Sequence, residues 1–383
     1  MALAGKVKIL VINGGSSSFK CWFGEMPENR VLWSKQLGAE SELEPALKSL
    51  LADHRPQVDA VGHRIVHGGP VYRESTLLTP EVREAIAQQV EFAPAHNRFE
   101  LEAVRVVDRL IGSDVPQVAV FDTGFHRTLE PAAYVYPGPY SWLEEGVRRY
   151  GFHGINHQYC AGRAAELLGG NLRLIICHLG NGASLCAVRD GKSIDTTMGF
   201  TPLEGLMMGT RSGSIDPGIL VYLIRHRGYT AEQLDHILNK ESGVLGVSGV
   251  SGDMRKIDEA IAAGNPRAKL AFDVYVHRLI REIGSMWAVL GGVDALIFTA
   301  GVGENSPRIR ELVCERLGFR IDATLNAHPK LDQDIAAPES KVRVLVVRAN
   351  EELEIAKECY RLYGIRKQNL APGPLASSHK SPP

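Results

Sequence analysis

Six polar residues stand where apolar runs stop or glycine-rich turns begin, and their types suit the handling of anions. Arg64 lies inside HRIVHGG (His63–Gly69), Asp122 inside VFDTGFH and His153 inside YGFHGINH. His178 and Asn181 frame the turn HLGNG, and Arg211 sits in a Gly- and Met-rich loop, MMGTRSG. Arginine meets carboxylate or phosphate with a planar fork of donors. Glycine turns let backbone N–H groups approach an anion closely. Phosphate handling is the chemistry such a set would do. Taken singly, each residue has a plainer reading: a surface ion pair for Arg64, a cap for Asp122, a hydrogen-bonded core histidine for His153, and turn stabilisation for His178 and Asn181. What singles out the set is its placement, because the segments that carry it occur in the same order twice.

The first series opens with an apolar strand, Lys8–Ile12, running into the small-residue turn Asn13-Gly14-Gly15-Ser16-Ser17-Ser18. A second strand (Phe19–Gly24), a Pro-Glu-Asn turn and a third strand (Val31–Gln36) follow. The second series opens with Leu174–Cys177, the His178–Gly182 turn, a short strand, an Asp-Gly turn and another strand. VDAVGHRIVHGG (Val58–Gly69) then matches VDALIFTAGVGEN (Val293–Asn305), and VAVFDTGFH (Val118–His126) matches VRVLVVRANEE (Val342–Glu352). Helical patterns intervene at Pro80–Val90 and Glu100–Ile111 in the first half, and at Arg267–Leu290 and Arg308–Leu317 in the second. A repeated order of elements, beyond α/β alternation alone, predicts a duplicated βββαβαβ unit. Two such domains would turn polar strand ends toward a shared cleft, and open α/β sheets bind ligands outside those ends. A nucleotide held between two lobes is the expected use.

The 383 residues suffice for two domains with full cores. A net charge of −1 favours neither a nucleic-acid nor an anionic-membrane partner, so the basic residues that matter must act locally. No apolar run is long enough to span a bilayer, and MALAGKVKIL lacks a signal-peptide pattern, which points to the cytoplasm. The six cysteines are scattered without a CxxC pair and read as buried, reduced thiols. Residues 368–383, rich in Pro, Ser and Ala, are expected to be disordered. Cys186–Ser193 comes nearest to a phosphate-binding P-loop but has Cys in place of the first Gly and falls in an expected hairpin, so it is rejected. Gly301-Val-Gly303-Glu-Asn-Ser306 lacks the third Gly of a dinucleotide fingerprint; a turn packed against adenosine or ribose suits it better. No HExxH occurs, and the dispersed histidines argue against zinc.

Seven segments in order resemble the acetate kinase family: Asn13–Lys20 (NGGSSSFK), His63–Gly69, Phe121–His126, Tyr150–Gly154, His178–Gly182, Met208–Gly213 and Thr299–Asn305. The resemblance covers nearly the whole chain, up to Glu351. It implies the duplicated α/β fold of the sugar kinase, Hsp70 and actin superfamily (ribonuclease H-like), with an interdomain cleft. The implied lobes are 1–120 plus about 350–367, and 121–349 with the nucleotide site and dimer contacts. The implied reaction is reversible, ATP-dependent phosphorylation of acetate to acetyl phosphate by direct in-line transfer. ATP or ADP would be co-substrate, with Mg2+ (Mn2+ able to substitute), and the enzyme would be a homodimer.

The resemblance also implies roles. Arg64 and Arg211 would grip the phosphoryl group and the carboxylate, Asp122 would sit at the reacting centre, and His153 would donate to phosphoryl oxygens. Asn13, Ser16, Ser18 and Lys20 would lie near phosphates and metal. His178, Leu179, Gly180, Asn181 and Gly182 would cradle nucleotide phosphates, while Asp253, Met254, Arg255, Gly301, Val302, Gly303, Glu304 and Asn305 would border adenosine. Glu351 would join Asn13 at magnesium, with Glu352 an adjacent candidate. Val66, Phe152 and Pro202 would line the acyl pocket. There Ala95 replaces the family's usual leucine, and the resulting space predicts that propionate competes with acetate. The segment between Lys20 and His63 is shorter than usual, Ser214 replaces a common aspartate, and Ala349 replaces a threonine.

Acetate is already a nucleophile at neutral pH, so Asp122 has no substrate proton to remove and is read as organising magnesium or an arginine. The difficulty is to bring two anions together, which positive charge and in-line positioning overcome. A short-chain carboxylate kinase other than an acetate kinase, and a non-kinase ATPase of the same superfamily, are the alternatives.

Overall fold

The computed structural model describes residues 5–14, 19–38, 40–52, 57–88, 94–330 and 332–370. They divide into two compact units, Met1–Phe121 with Glu352–Pro383, and Asp122–Glu351.

The first unit is built on a six-stranded sheet of β1 (Val7–Gly14), β2 (Phe19–Met26), β3 (Arg30–Leu37), β4 (Ala60–Ile65), β5 (Thr76–Leu77) and β6 (Gln117–Phe121), in the order β3-β2-β1-β4-β6-β5. β1, β2 and β3 form an antiparallel meander; β4 and β6 then extend the sheet in parallel with β1. VKILVING is almost wholly buried, as a central strand covered on both faces must be. At the edge, RVLWSKQL has no buried residue. Leu10, Ile12, Phe23, Leu43, Leu47 and Val107 belong to one core cluster on this sheet. The C-terminal helix Glu351–Leu370 closes onto β4 where Gly62 leaves no room for a side chain: a Cβ there would stand 2.7 Å from Ile355 Cγ2.

The second unit repeats the plan. β7 (Arg173–Leu179), β8 (Ala183–Arg189), β9 (Lys192–Thr196), β10 (Ala295–Thr299), β11 (Gln333–Asp334) and β12 (Arg343–Val346) are ordered β9-β8-β7-β10-β12-β11. Again there is an antiparallel meander, then two parallel strands, then a two-residue antiparallel edge. Even the register shift recurs, between Phe23 and Gly24 in β2 and between Ala187 and Val188 in β8. Fold class and the matching of strands therefore agree with the repeat read from sequence. The rejected P-loop segment is the β8–β9 hairpin, turned at Asp190 and Gly191 with φ of 51° and 74°, the geometry an Asp-Gly turn favours.

Helix Pro266–Leu290 shows why its sequence folds so. Asn265 accepts hydrogen bonds from the N–H groups of Arg267 and Ala268, Pro266 occupies the first turn, and Gly291 ends the helix in the left-handed region at φ 66°. Phe272, Tyr275, Leu279, Ile283 and Met286 face the core. Expected helix ends shift modestly: one helix begins at Pro94 rather than Glu100, and another ends at Gln88, with residues 89–90 outside the described set. The C-terminal helix runs to Leu370, three residues into the tail expected to be disordered; residues 371–383 lie outside the described set. All six cysteines are unpaired and buried. Among the described residues no helix is long and apolar enough to cross a membrane.

Candidate active site

In the first unit the strand ends gather charge. Arg64, on β4, donates from Nη1 to the Gly14 carbonyl at 2.7 Å. The same nitrogen lies 4.0 Å from Glu100 Oε1, while Glu100 Oε2 accepts from the Val66 N–H at 2.9 Å. Glu100 thus fixes both the arginine and the backbone of Val66, whose side chain is buried. Asn13, the penultimate residue of β1, donates from Nδ2 to Glu352 Oε1 at 2.8 Å, and the exposed Lys20 ammonium stands 4.0 Å from the same oxygen. It is Glu352, the residue adjacent to the expected Glu351, that approaches Asn13. Ser16 and Ser18 lie outside the described residues, as does the side chain of Ala95 in helix Pro94–Ile111.

In the second unit Asp122 accepts twice from the start of helix Gly154–Leu168: Oδ2 from the His153 N–H at 2.9 Å and its carbonyl from Gly154 N–H at 2.8 Å. These bonds hold His153 at φ 56°, a left-handed conformation uncommon for a residue with a Cβ. This carboxylate thus fixes the backbone of a histidine. His153 stacks on His178, ring centres 4.0 Å apart and planes 15° from parallel. Ser184 Oγ lies 2.9 Å from His153 Nδ1 and 2.8 Å from His157 Nε2. One hydroxyl carries one proton, so it donates to one imidazole and accepts from the other. His178 Nδ1 lies 2.9 Å from Asn156 Nδ2, an amide donor, which directs the histidine's own N–H to Nε2. Burial holds His157 well below the ordinary histidine value and His126 near 4.

Arg211 donates from Nη1 to the Pro202 carbonyl at 2.8 Å. Burial pulls its guanidinium below the ordinary arginine value. Its loop is braced by Gly205 and Ser214, which exchange two hydrogen bonds of 3.0 and 2.9 Å. Arg211 and His153 meet over Gly182: a Cβ on that glycine would stand 3.0 Å from Arg211 Nη2 and 3.3 Å from His153 Nε2. Phe152 is buried in the same unit, with its carbonyl 3.1 Å from His126 Nε2.

A pocket of about 780 Å³ is lined by Gly180, Asn181, Gly252, Asp253, Met254, Arg255, Asp258, Gly301, Val302, Asn305, Ser306, Pro307 and Arg308. Its size suits a nucleotide-sized ligand. Eight expected nucleotide contacts are in it. The others have different places. Leu179 is core, and Gly303 packs against Phe298, Cys177 and Leu179. Glu304 Oε1 accepts from the Ala349 N–H at 2.9 Å. Sequence reasoning missed Asp258 and Arg308. Their signal was position: Asp258 is one turn beyond Met254 on helix Met254–Ala262, and Arg308 opens helix Pro307–Leu317. It also missed Arg310, fully buried, which donates to the carbonyls of Gly303 and Glu304 at 2.8 and 2.9 Å and to Asn326 Oδ1 at 2.8 Å. Arg310 pins the short helix Ala300–Asn305 against the pocket, and burial lowers its value to about 10.

No group of three or more His, Cys, Asp or Glu side chains among the described residues could hold a metal alone. Magnesium needs no such group, since it takes one or two carboxylates and fills its remaining positions with water and substrate phosphates. Asn13 and Glu352, with Glu351 beside it, are hard oxygen donors of the right kind.

Paired α/β sheets of this order, with a nucleotide-sized pocket against a glycine turn and a half-buried arginine, define a phosphotransferase architecture. The acetokinase family model matches residues 38–357. Acetate kinase from Cyanothece sp. is 50% identical over 409 aligned positions, covering 95% of this chain and all of that protein. That alignment is longer than the chain, so the relative carries residues this chain lacks. Acetate kinase from Acaryochloris marina is 52% identical, with 92% and 99% covered. Among solved structures, Porphyromonas gingivalis acetate kinase superposes with a TM-score of 0.85 at 41% identity, covering 93% of this chain and 99% of that one. A propionate kinase from Francisella tularensis gives 0.86 at 36% identity, with the same coverage. The chain belongs to the acetokinase family.

Proposed function

We propose that the chain is an ATP-dependent acetate kinase, making acetyl phosphate reversibly by direct in-line transfer. The carrying observation is the convergence of half-buried Arg211 and His153 over Gly182, beside a nucleotide-sized pocket that begins at Gly180. The nucleotide's phosphates lie along the His178–Gly182 turn, where backbone N–H groups and His178 Nε2–H donate. Asp122 fixes His153, and Ser184 donates to His153 Nδ1 while accepting from His157; a neutral His153 then presents an Nε2–H to the transferring phosphoryl oxygens. Arg211, short of solvent, gains most when charge spreads over those oxygens in a loose transition state. Arg64 supplies the second cation, for the carboxylate, and its carbonyl and carboxylate partners keep the fork aligned. Magnesium, held by Asn13 with Glu351 or Glu352, would neutralise phosphate charge. No side chain acts as a base, because the nucleophile is already an anion.

Acetate is preferred over propionate as acceptor because the curated relatives near 50% identity are acetate kinases, whereas the propionate kinase likeness is at 36%. Hydroxylamine trapping of acyl phosphate across a carboxylate chain-length series tests the reading. Acetate-dependent hydroxamate with ATP is expected; ATP hydrolysis without hydroxamate would point to an ATPase, and a larger yield from propionate would reassign the acceptor.

We also infer a cytoplasmic homodimer. Helix Pro217–Arg227 buries none of its residues and exposes Ile219, Val221, Tyr222 and Ile224, an apolar face suited to a second copy. Helix Pro266–Leu290, by contrast, turns Phe272, Tyr275, Leu279, Ile283 and Met286 into the core. Light scattering should give twice the chain mass, and Tyr222→Glu should lower it; a monomeric wild type refutes the dimer.

A further inference from the structure

Both cations lining the nucleotide-sized pocket are already neutralised. Arg255 is clamped by Asp253 through three contacts of 2.6 to 3.2 Å, and Arg308 donates from Nη1 to Asp258 Oδ1 at 2.8 Å. A phosphate site would leave such cations for the ligand. Instead, what Arg308 offers is a flat, charge-balanced face. Its guanidinium carbon lies 4.1 Å from the centre of the Phe272 ring, and Phe272 is buried, so one side of the plane is covered from within the core. The side chain is nevertheless 42% exposed and lines the pocket, which leaves the opposite side of the plane for a ligand. Its pocket neighbours Met254, Val302 and Pro307 are apolar. Phosphates, by contrast, suit the glycine turn at Gly180 and Asn181. An aromatic ring below, a guanidinium between, and an apolar space above form half of a stack that a heterocyclic base completes.

We propose that Arg308, held in plane by Asp258 and Phe272, is the platform on which the nucleobase stacks, and that it makes this chain select purine over pyrimidine nucleotides. The inference rests on the kinase reading above and assigns the base-selecting residue of that site. A two-ring purine overlaps a guanidinium plane more fully than a one-ring pyrimidine, so removing the platform penalises ATP and GTP more than CTP and UTP. A cation–π contact of this kind is worth roughly two- to thirtyfold in binding.

The experiment is acetyl phosphate formation at saturating acetate with ATP, GTP, CTP and UTP, for the wild type, Arg308→Ala, Arg308→Lys and Asp258→Asn. The wild type should show a lower KM for both purine nucleotides. Arg308→Ala should raise KM for ATP and GTP about tenfold with kcat at saturation kept, and bring purine and pyrimidine KM values together. Asp258→Asn should shift KM the same way by less, and Arg308→Lys should restore part of the preference. Equal KM values for all four nucleotides in the wild type would overturn the proposal. So would a uniform rise for all four in Arg308→Ala, which would make Arg308 a phosphate contact. If Arg308→Ala does not fold, Asp258→Asn decides alone: an unchanged purine to pyrimidine ratio overturns the proposal. Absence of acyl phosphate with every nucleotide would refute the kinase reading itself and is thereby told apart.

Discussion

Replacing Gly182 by alanine adds one methyl group at the point where the proposed chemistry converges. The new Cβ would meet Arg211 Nη2 at 3.0 Å, His153 Nε2 at 3.3 Å and His153 Cε1 at 3.4 Å. Ordinary contact for such atoms is about 3.5–4.0 Å, so the arginine tip must retreat by roughly half an ångström or more and the imidazole by less. Gly182 lacks the positive φ that would strain an alanine backbone. The displaced atoms are ends of side chains, so stability should change by less than about 1 kcal/mol. Catalysis should not be so tolerant. A misplacement of about 1 Å in a positioned group can cost on the order of 100-fold, and half of that in two groups at once predicts a fall in kcat of roughly 10- to 100-fold. KM for acetate should move little if these groups act chiefly in the transition state. Hydroxylamine trapping gives kcat and KM, and a thermal melt reports the fold. Wild-type kcat in a folded Gly182→Ala protein would show that Arg211 and His153 do not work over this turn.

Arg64→Ala and Arg211→Ala should each lose on the order of 10²- to 10⁵-fold in turnover while remaining folded, the usual cost of removing a transition-state cation; near-normal rates in either would remove it from the mechanism. Glu351→Ala should raise the magnesium concentration for half-maximal activity by about tenfold, as loss of a metal-supporting group does. An unchanged titration there, with a shifted one in Glu352→Ala, would transfer the role to the carboxylate that touches Asn13. Acid should destabilise the fold through buried histidines: burial lowers His63, His67 and His126 to about 4 and His157 well below 6.5. These sites bind fewer protons folded than unfolded, so their contribution is whole above about pH 6.5 and is lost as pH falls toward 4, on the order of 3 kcal/mol at each of the first three. Melting temperatures that stay level between pH 7 and pH 5 would contradict this.

Strands and their duplication were legible because their signals are local. An apolar run ending in Asn-Gly-Gly or His-Leu-Gly-Asn-Gly announces both the strand and its polar end, and the meander, β4 and β6 recur as β7–β9, β10 and β12. The two-residue edge strands β5 and β11 carry no such signal; pairing with β6 and β12 alone defines them. In the candidate site, groups that point outward from strand ends were found, and groups that support them were not. Glu100 reaches Arg64 across 36 residues, and Ser184 reaches His153 across 31. Arg310 is the sharpest case: in the sequence it is one arginine on an amphipathic helix, and only the fold buries it completely against Gly303, Glu304 and Asn326.

On the proposed function, the repeated sheet serves two kinds of ligand chemistry with one plan. β1 and β7 hold corresponding places in the two sheets, but the side chains near their ends differ in charge. Beside β1 stand Arg64, Glu100, Lys20 and Glu352, a set of formal charges balanced in pairs. Beside β7 stand His153, His178, Asn156 and Ser184, polar side chains joined by hydrogen bonds and ring stacking. Formal charge suits the proposed binding of a carboxylate and a metal ion, where Coulomb attraction must offset the loss of hydration. Hydrogen-bond donors on a glycine turn suit the proposed nucleotide phosphates, which directional bonds hold in line. Arg211 brings a formal charge to that second turn from a separate loop braced by Ser214. On the proposed reading, a duplicated fold built this way can vary the acceptor through the first unit and the nucleotide through the second.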